Sequence, residues 1–276
     1  MTYTYQRTYR GPLRLAVFDY AGTTVDYGCC APAAVFIEGF RRQGVEISMA
    51  QARAPMGMEK RAHIRIIGAM PEVAAKWQAA HGRTMTEADV DAMYAEFVPL
   101  LLAVLDDYSA LIPGVLETTT YLRQQQILVA GTTGYFDEAL AVVVVAAERQ
   151  GYKTDFNLCA TQVTAGRPAP WMIYRAMEIL GVYPPQAVLK IGDTVVDVEA
   201  GLNAGVWSIG VAQSGNEVGL TEAELQALDD TTRVSLTQRA RQKLQAAGAH
   251  FVIDSVAELP QVVEMIQQRL SNGRQP

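Results

Sequence analysis

Four stretches of this sequence hold side chains that together can move a phosphoryl group. They are Asp19, the run Thr132–Thr133–Gly134, Arg167 between Gly166 and Pro168, and Asp193 with Asp197. Each follows a short apolar run of the kind that forms a strand. Carboxylates are hard oxygen ligands, so Asp19 and Asp193 can hold Mg²⁺. Thr133 and Arg167 can neutralise and orient phosphoryl oxygens. Asp19 is then free to attack phosphorus and carry the group as an aspartyl-phosphate. Taken singly, each has a simpler reading. An Asp after a strand is commonly a turn or cap residue, Thr132–Thr133 can cap a helix, and Arg167 can be a solvated loop cation. Asp193 and Asp197, four residues apart, can merely place charge near a helix N-terminus. Four such sites in succession, each at a strand end, are far harder to obtain by accident.

The elements that must position these residues alternate along the chain. Leu13–Phe18, Ile127–Ala130, Phe156–Ala160, Ala187–Ile191, Val206–Val211 and Phe251–Ile253 read as strands of a parallel sheet, with crossover helices between them. Ligands of an open parallel sheet collect at the carboxyl ends of its strands, where the residues above fall. Val142–Val145 is β-branched but lies within Asp137–Arg149, a stretch of helical length. From Ala31 to Asp107 the signals are helical. Ser48 with Gln51 makes a capping box and Pro71 suits a first helical position. Thr86 caps a helix whose Val90, Met93, Tyr94, Phe97, Leu101 and Val104 share one stripe. The fold class expected is α/β, a Rossmann-like parallel-sheet core with an inserted α-helical domain. Residues 1–28 and 108–276 form the core and 29–107 the insertion, with Gly28 and Leu111–Pro113 as hinge candidates. Trp171 and Trp207 read as core residues, His81 has no evident partner, and Ser271–Pro276 reads as a frayed tail.

Composition narrows the partners. The 276 residues are 50% apolar and 19% charged, as in folded globular proteins. A net charge of −6 and a pI near 5.2 leave no basic footprint for nucleic acid. No run of about twenty apolar residues suggests a membrane span, and the first twenty residues lack a signal-type stretch. Cys29, Cys30 and Cys159 have no metal-ligand spacing, and a reducing cytoplasm is expected.

LAVFDYAGTTVD, ILVAGTTGY, AGRPAPWM and LKIGDTVVDVEAGLNAG resemble the four successive motifs of the haloacid dehalogenase superfamily. The helical insertion is similar to that superfamily's cap domain. DYAGTTVDYGC, PMGMEKRAH, TTGY and GRPAPWM resemble, more closely, its phosphonoacetaldehyde hydrolase (phosphonatase) family. Nearly the whole chain is covered, with the weakest stretches before Leu13 and after about Leu220. Phosphatases of the superfamily place a second Asp two residues after the nucleophile, as an acid for a leaving alkoxide. Here that position is Ala21, and losing a general acid forfeits ~10²–10⁴ in rate. A phosphonate explains the loss, because its leaving group is carbon.

A bare carbanion is too unstable to leave, and Lys60 supplies the remedy. Its amine can condense with an aldehyde, and the protonated imine then accepts the electrons of the breaking C–P bond. The substrate must carry its carbonyl one carbon from that bond, as phosphonoacetaldehyde does. The resemblance implies hydrolysis to acetaldehyde and phosphate, within 2-aminoethylphosphonate degradation. An unperturbed Lys is neutral in only roughly one molecule in 2,500 at pH 7. Lys60 is therefore expected to have a lowered pKa, through partial burial and nearby cations. His63, three residues on, shares its helical face. The resemblance implies that His63 shuttles protons, that the Ala21 carbonyl joins Asp19 and Asp193 on Mg²⁺, and that Asp197 orients the metal site. It further implies binding of the phosphoryl group by Thr133, Gly134 and Arg167, and a homodimer formed through cap helices. Tyr135, Met56 and Gly57 are candidates to shape the substrate pocket, with packing or turn roles as the alternative. The rival readings are a phosphate-ester phosphatase of the same superfamily, a metal-free Schiff-base aldolase or lyase, and a non-catalytic binding protein.

Overall fold

After the first strand, β1 (Leu15–Asp19), the chain builds a segment of five helices before it returns to the sheet domain. They are α1 (Cys30–Arg42), α2 (Met49–Arg53), α3 (Lys60–Ala69), α4 (Pro71–His81) and α5 (Glu87–Leu105). The computed structural model describes residues 8–276, so the first seven residues of the expected core span lie outside the described residues. Local chemistry sets the helix starts. Ser48 and Gln51 form a reciprocal capping box, Thr86 and Asp89 form another, and Pro71 opens α4. The stripe on α5 buries Val90, Met93, Phe97 and Leu101, and Phe97 stacks on Phe36 of α1 at 4.6 Å between ring centroids.

After this segment come α6 (Val115–Gln124), β2 (Leu128–Thr133), α7 (Asp137–Arg149), β3 (Phe156–Cys159), α8 (Trp171–Ile179), β4 (Val188–Gly192) and α9 (Val195–Ala204). The chain closes with β5 (Trp207–Val211), α10 (Glu222–Ala227), α11 (Asp230–Ala246), β6 (Phe251–Ile253) and α12 (Leu259–Ser271). All strands are parallel, in the order β3-β2-β1-β4-β5-β6. The direction of winding reverses at the β1–β4 boundary, which is where a doubly wound sheet opens a crevice. Alternation along β1 serves two layers. Leu15 and Val17 pack with Ile173 and Ala176 of α8, while Ala16 and Phe18 join the larger core on the opposite face.

β2 runs three residues past the expected Ala130. Thr132 pairs with Asp19 on one side and Leu158 on the other, so the ladder holds both threonines in the strand. Gly131, the residue after the expected strand end, has a packing reason. A Cβ there would stand 2.5 Å from the Tyr20 ring and 2.6 Å from the Asn157 side-chain oxygen. The two linkers of the helical segment run side by side. Asp26 N–H donates to the Ala110 carbonyl (3.3 Å) and Ile112 N–H to that of Thr24 (2.9 Å).

Three expectations are corrected. Trp171 is 47% exposed, because α8 turns Met172, Ile173, Ala176 and Met177 inward from its first turn and leaves position 171 outside. Trp207 is buried, as expected. His81 does have partners: its Nε2–H donates to the Gln43 carbonyl (2.9 Å) and its ring stacks on Trp77 at 4.2 Å. The C-terminal tail folds back, with Gln275 Nε2 donating to the Tyr9 carbonyl (3.2 Å). No helix among the described residues is long and apolar enough to cross a membrane.

Candidate active site

Asp19 ends β1, the strand at the switch point, and is buried. Its Oδ1 accepts from Arg167 Nη2 at 2.7 Å, and the same amino group donates to the Thr132 carbonyl (2.9 Å) and hydroxyl (3.1 Å). Arg167 Nη1 lies 3.0 Å from Asp197 Oδ1, which is also 2.7 Å from Lys190 Nζ. These last two contacts are ion pairs without hydrogen-bond alignment, since Nη1 and Oδ1 have no aligned partner. Burial opposes the charge on Arg167, but Asp19 and Asp197 outweigh it and hold the guanidinium above its ordinary pKa. Burial likewise pushes Asp197 up, yet Arg167 and Lys190 overcome it and keep the carboxylate below its usual range. Thr194 donates to Asp197 Oδ2 at 2.5 Å. Asp197 is thus committed to cations and a hydroxyl.

Asp193 follows β4 and is differently placed. Its partners are neutral: the Asn216 backbone N–H (2.8 Å) and the Thr23 hydroxyl (3.1 Å). Burial, then Asp19 and Asp197, raise its pKa well above the carboxylate range. Close approach is arranged on two sides, because a Cβ on Gly22 (φ +82°) or on Gly215 would overlap the Asp193 side chain. Asp19, Asp193 and Asp197 each bring one oxygen within 4.8 Å of the others. Arg167 and Lys190 answer Asp197, Arg167 also answers Asp19, and among the described residues no cationic side chain pairs with Asp193. Among the described residues, moreover, the Ala21 carbonyl accepts no hydrogen bond. A buried carboxylate pair short of one cation, with a free carbonyl beside it, fits a divalent hard metal.

Thr133 is buried at the last position of β2, its Oγ1 accepting from Tyr135 N–H at 3.2 Å. Gly134 meets the helical segment, since a Cβ there would overlap the Met58 carbonyl oxygen. Lys60 opens α3 and is only 4% exposed. Its Nζ lies 5.0 Å from the Tyr135 ring centroid and 5.8 Å from that of Phe36, with no carboxylate within ion-pairing distance among the described residues. Burial lowers its pKa; Arg167 adds to the lowering, while Cys29, Asp19 and Glu59 pull it upward. The lowering is as expected, but burial is its first cause and the neighbouring charges are mixed. His63 is buried too, its Nε2–H donating to the Ala52 carbonyl at 2.8 Å and its Nδ1 unpartnered among the described residues. Burial and Lys60 hold it well below its ordinary pKa, so the ring is neutral with a free lone pair. It stacks on Phe36 at 3.8 Å.

Tyr135 is buried with its hydroxyl unpartnered among the described residues, and burial keeps that hydroxyl protonated. Met56 is buried nearby in sequence. Gly57 has a turn role: its φ is +89°, and a Cβ would overlap the Thr194 hydroxyl. The structure also adds residues that the sequence did not single out. Lys190 in β4 carries the second cation on Asp197. A lysine inside the apolar run AVLKIG is a readable signal, because a buried ammonium requires a partner. Asp26, also buried, accepts from Cys30 N–H (2.9 Å) and Ala31 N–H (3.1 Å) at the start of α1. Its cue, an Asp shortly before a helix, is too common to have marked it.

Known proteins resemble this chain in sequence and in fold. The haloacid dehalogenase-like hydrolase family model matches residues 13–205. A phosphonoacetaldehyde hydrolase from Syntrophobacter fumaroxidans is 44% identical over 273 residues, covering 98% of this chain and 98% of that protein. One from Paraburkholderia xenovorans is 44% identical, covering 96% of this chain and 99% of its own. The crystal structure of a phosphonoacetaldehyde hydrolase-like protein from Oleispira antarctica superposes with a TM-score of 0.97 at 39% identity, with both chains fully covered. The chain belongs to the haloacid dehalogenase-like hydrolases and, within that class, to the phosphonoacetaldehyde hydrolase family.

Proposed function

We propose that this enzyme hydrolyses the C–P bond of phosphonoacetaldehyde to acetaldehyde and phosphate, using an imine on Lys60 and a phosphoryl group carried by Asp19. One observation carries the reading. A buried lysine without a counter-ion among the described residues stands in a site whose nucleophile has Ala21 where an acid would serve an alkoxide. An amine in that setting is suited to condensation, not to ion pairing.

Arg167, the Thr133 hydroxyl and the Gly134 N–H receive the phosphonate, and the aldehyde points to Lys60. The neutral amine attacks the carbonyl carbon and water leaves, giving a protonated imine. His63 Nδ1 and the Tyr135 hydroxyl are the neighbouring groups able to hold or pass the protons. Asp19 attacks phosphorus as the C–P bond breaks, and its electron pair moves through carbon to the iminium nitrogen, leaving an enamine. Protonation at carbon and hydrolysis release acetaldehyde and regenerate the amine, while water hydrolyses the aspartyl-phosphate. Mg²⁺, held by Asp19, Asp193 and the Ala21 carbonyl and steadied through Asp197, would offset charge on the phosphoryl oxygens. Asp19, Lys60, Tyr135, Arg167 and Asp193 are all nearly sealed from solvent. The helical segment, residues 29–107, therefore acts as a cap that must lift for substrate to enter and lower to exclude water. The reading includes a homodimer paired through cap helices and a reducing cytoplasm, the latter in keeping with three free thiols.

The test is product stoichiometry. Phosphonoacetaldehyde should yield phosphate and acetaldehyde in equal amounts, with Lys60→Arg losing both. Faster phosphate release from sugar phosphates than from phosphonoacetaldehyde would favour the phosphatase reading instead.

A further inference from the structure

The reaction above assigns nothing to Arg53, the last residue of α2. Its guanidinium crosses from the helical segment to the sheet domain. Nη1 donates to the carbonyls of Gly28 (2.7 Å) and Cys29 (3.2 Å) and to Asn216 Oδ1 (3.2 Å), while Nη2 donates to the Gly219 carbonyl (3.0 Å). Asn216 answers with its Nδ2 on the Arg53 carbonyl (3.3 Å). Gly219 (φ +68°) lies so close that a Cβ on it would stand 2.9 Å from Arg53 Cζ. All these acceptors are neutral oxygens, and no carboxylate pairs with Arg53 among the described residues. The geometry is that of a planar fork fitted to several fixed carbonyls.

Two further contacts give this fork a role. Asn216, whose side chain Arg53 holds, is the residue whose backbone N–H donates to Asp193 Oδ2. On the other side, the chain from Arg53 to Lys60 is pinned near its far end by Gly57 against Thr194 and by Met58 against Gly134. The hinge candidate Gly28 is itself gripped at its carbonyl. We propose that Arg53 is a positioning residue that fixes the Lys60 stretch and the Asn216 loop to each other. Amine and metal-side carboxylate then come together only when the helical segment is seated. The proposal rests on the reading of Lys60 as the imine-forming amine.

Arg53→Met, Arg53→Lys and Asn216→Ala in the full chain test it, with hydrogen exchange and steady-state kinetics on phosphonoacetaldehyde. In Arg53→Met, exchange should rise at residues 54–60 and 214–219 while β1 and β4 keep their protection. kcat should fall about 10- to 100-fold, the cost of a small misplacement of reacting groups, with KM changing less. Arg53→Lys, retaining one donor group, should recover part of kcat. Unchanged local exchange with kcat within about twofold of the parent overturns the proposal. So does loss of protection across the whole sheet, which would mark general destabilisation. If Arg53→Met does not fold, Asn216→Ala decides, because it keeps the backbone donor to Asp193 but removes the acceptor for Arg53. A smaller change of the same pattern supports the proposal, and parental behaviour overturns it. Borohydride trapping on the parent enzyme separates the two readings. No adduct on Lys60 there defeats the imine, whereas an adduct with parental kinetics in the variants defeats only the role of Arg53.

Discussion

Gly134 and Met58 approach so closely that a single methyl on Gly134 would overlap the Met58 carbonyl oxygen and stand 2.8 Å from that of Gly57. The end of β2, which presents Thr133, is thereby seated on the loop that leads into Lys60. Backbone meets backbone at this point, so a substituent cannot be absorbed by a rotamer change. Gly134→Ala should lower kcat by about 10²-fold, since a displacement near 1 Å between reacting groups costs that much. Circular dichroism melts should show the fold retained. A variant with parental kcat would show that this contact does not set the distance between the two halves of the site.

Lys60 makes a paired prediction about pH. Its folded pKa lies below the ordinary lysine value, chiefly through burial. The folded state therefore binds fewer protons than the unfolded chain, and burial of this lysine costs stability progressively as pH falls from the unfolded pKa toward the folded one. Lys60→Met should abolish turnover yet raise the melting temperature at neutral pH, by about 2–4 °C for each kcal/mol relieved. The ascending limb of kcat/KM should reflect an amine that loses its proton below the ordinary lysine value of ~10.4. A lower melting temperature for Lys60→Met would contradict the cost assigned to its burial.

Asp26 titrates in the opposite sense. Burial raises its pKa to about 6, against two backbone hydrogen bonds and the fields of Arg53 and Lys60, which lower it. A raised carboxyl contributes stability that is complete below the unfolded pKa of ~3.9 and is lost as pH rises through about 6. The span corresponds to about 3 kcal/mol at most. Denaturant melts of Asp26→Asn should lose the part of the pH dependence lying between these values. An unaltered pH profile would remove Asp26 as its source.

Metal dependence should follow Asp193, the carboxylate of the three that no cationic side chain pairs among the described residues. EDTA should abolish turnover and Mg²⁺ restore it. Added Mg²⁺ should also stabilise the parent protein, by about 2.7 kcal/mol at a hundredfold excess over Kd. Asp193→Asn should melt higher than the parent in EDTA at neutral pH, because an amide is spared the proton uptake that burial beside Asp19 and Asp197 forces on this carboxyl, and should gain little from Mg²⁺. Equal Mg²⁺ stabilisation of both proteins would place the ion elsewhere.

Much of this arrangement is written locally. Asp19, Thr133, Arg167 and Asp193 each stand at or just after an apolar run, and parallel-sheet geometry alone brings such positions together. The helical segment announces itself through Ser48, Pro71 and Thr86, whose capping chemistry acts within one turn. What stays hidden depends on contacts distant in sequence. Arg53 and Asn216 are 163 residues apart, and neither lies in a pattern with a period. Gly131 looks like punctuation until Tyr20 is seen to occupy the space beside it. Trp171 looks like core because indole is large and apolar, yet its position on α8 turns it outward. Lys190 was legible in principle, as a charge in a buried strand whose partner only the fold supplies.

The central claim is that carbon leaves phosphorus with its electrons drawn onto a nitrogen of Lys60. Borohydride reduction during turnover of phosphonoacetaldehyde, followed by peptide mapping, tests it directly. The account predicts inactivation that requires substrate and a reduced two-carbon adduct on Lys60. An unmodified Lys60 in enzyme that is releasing acetaldehyde and phosphate would contradict it.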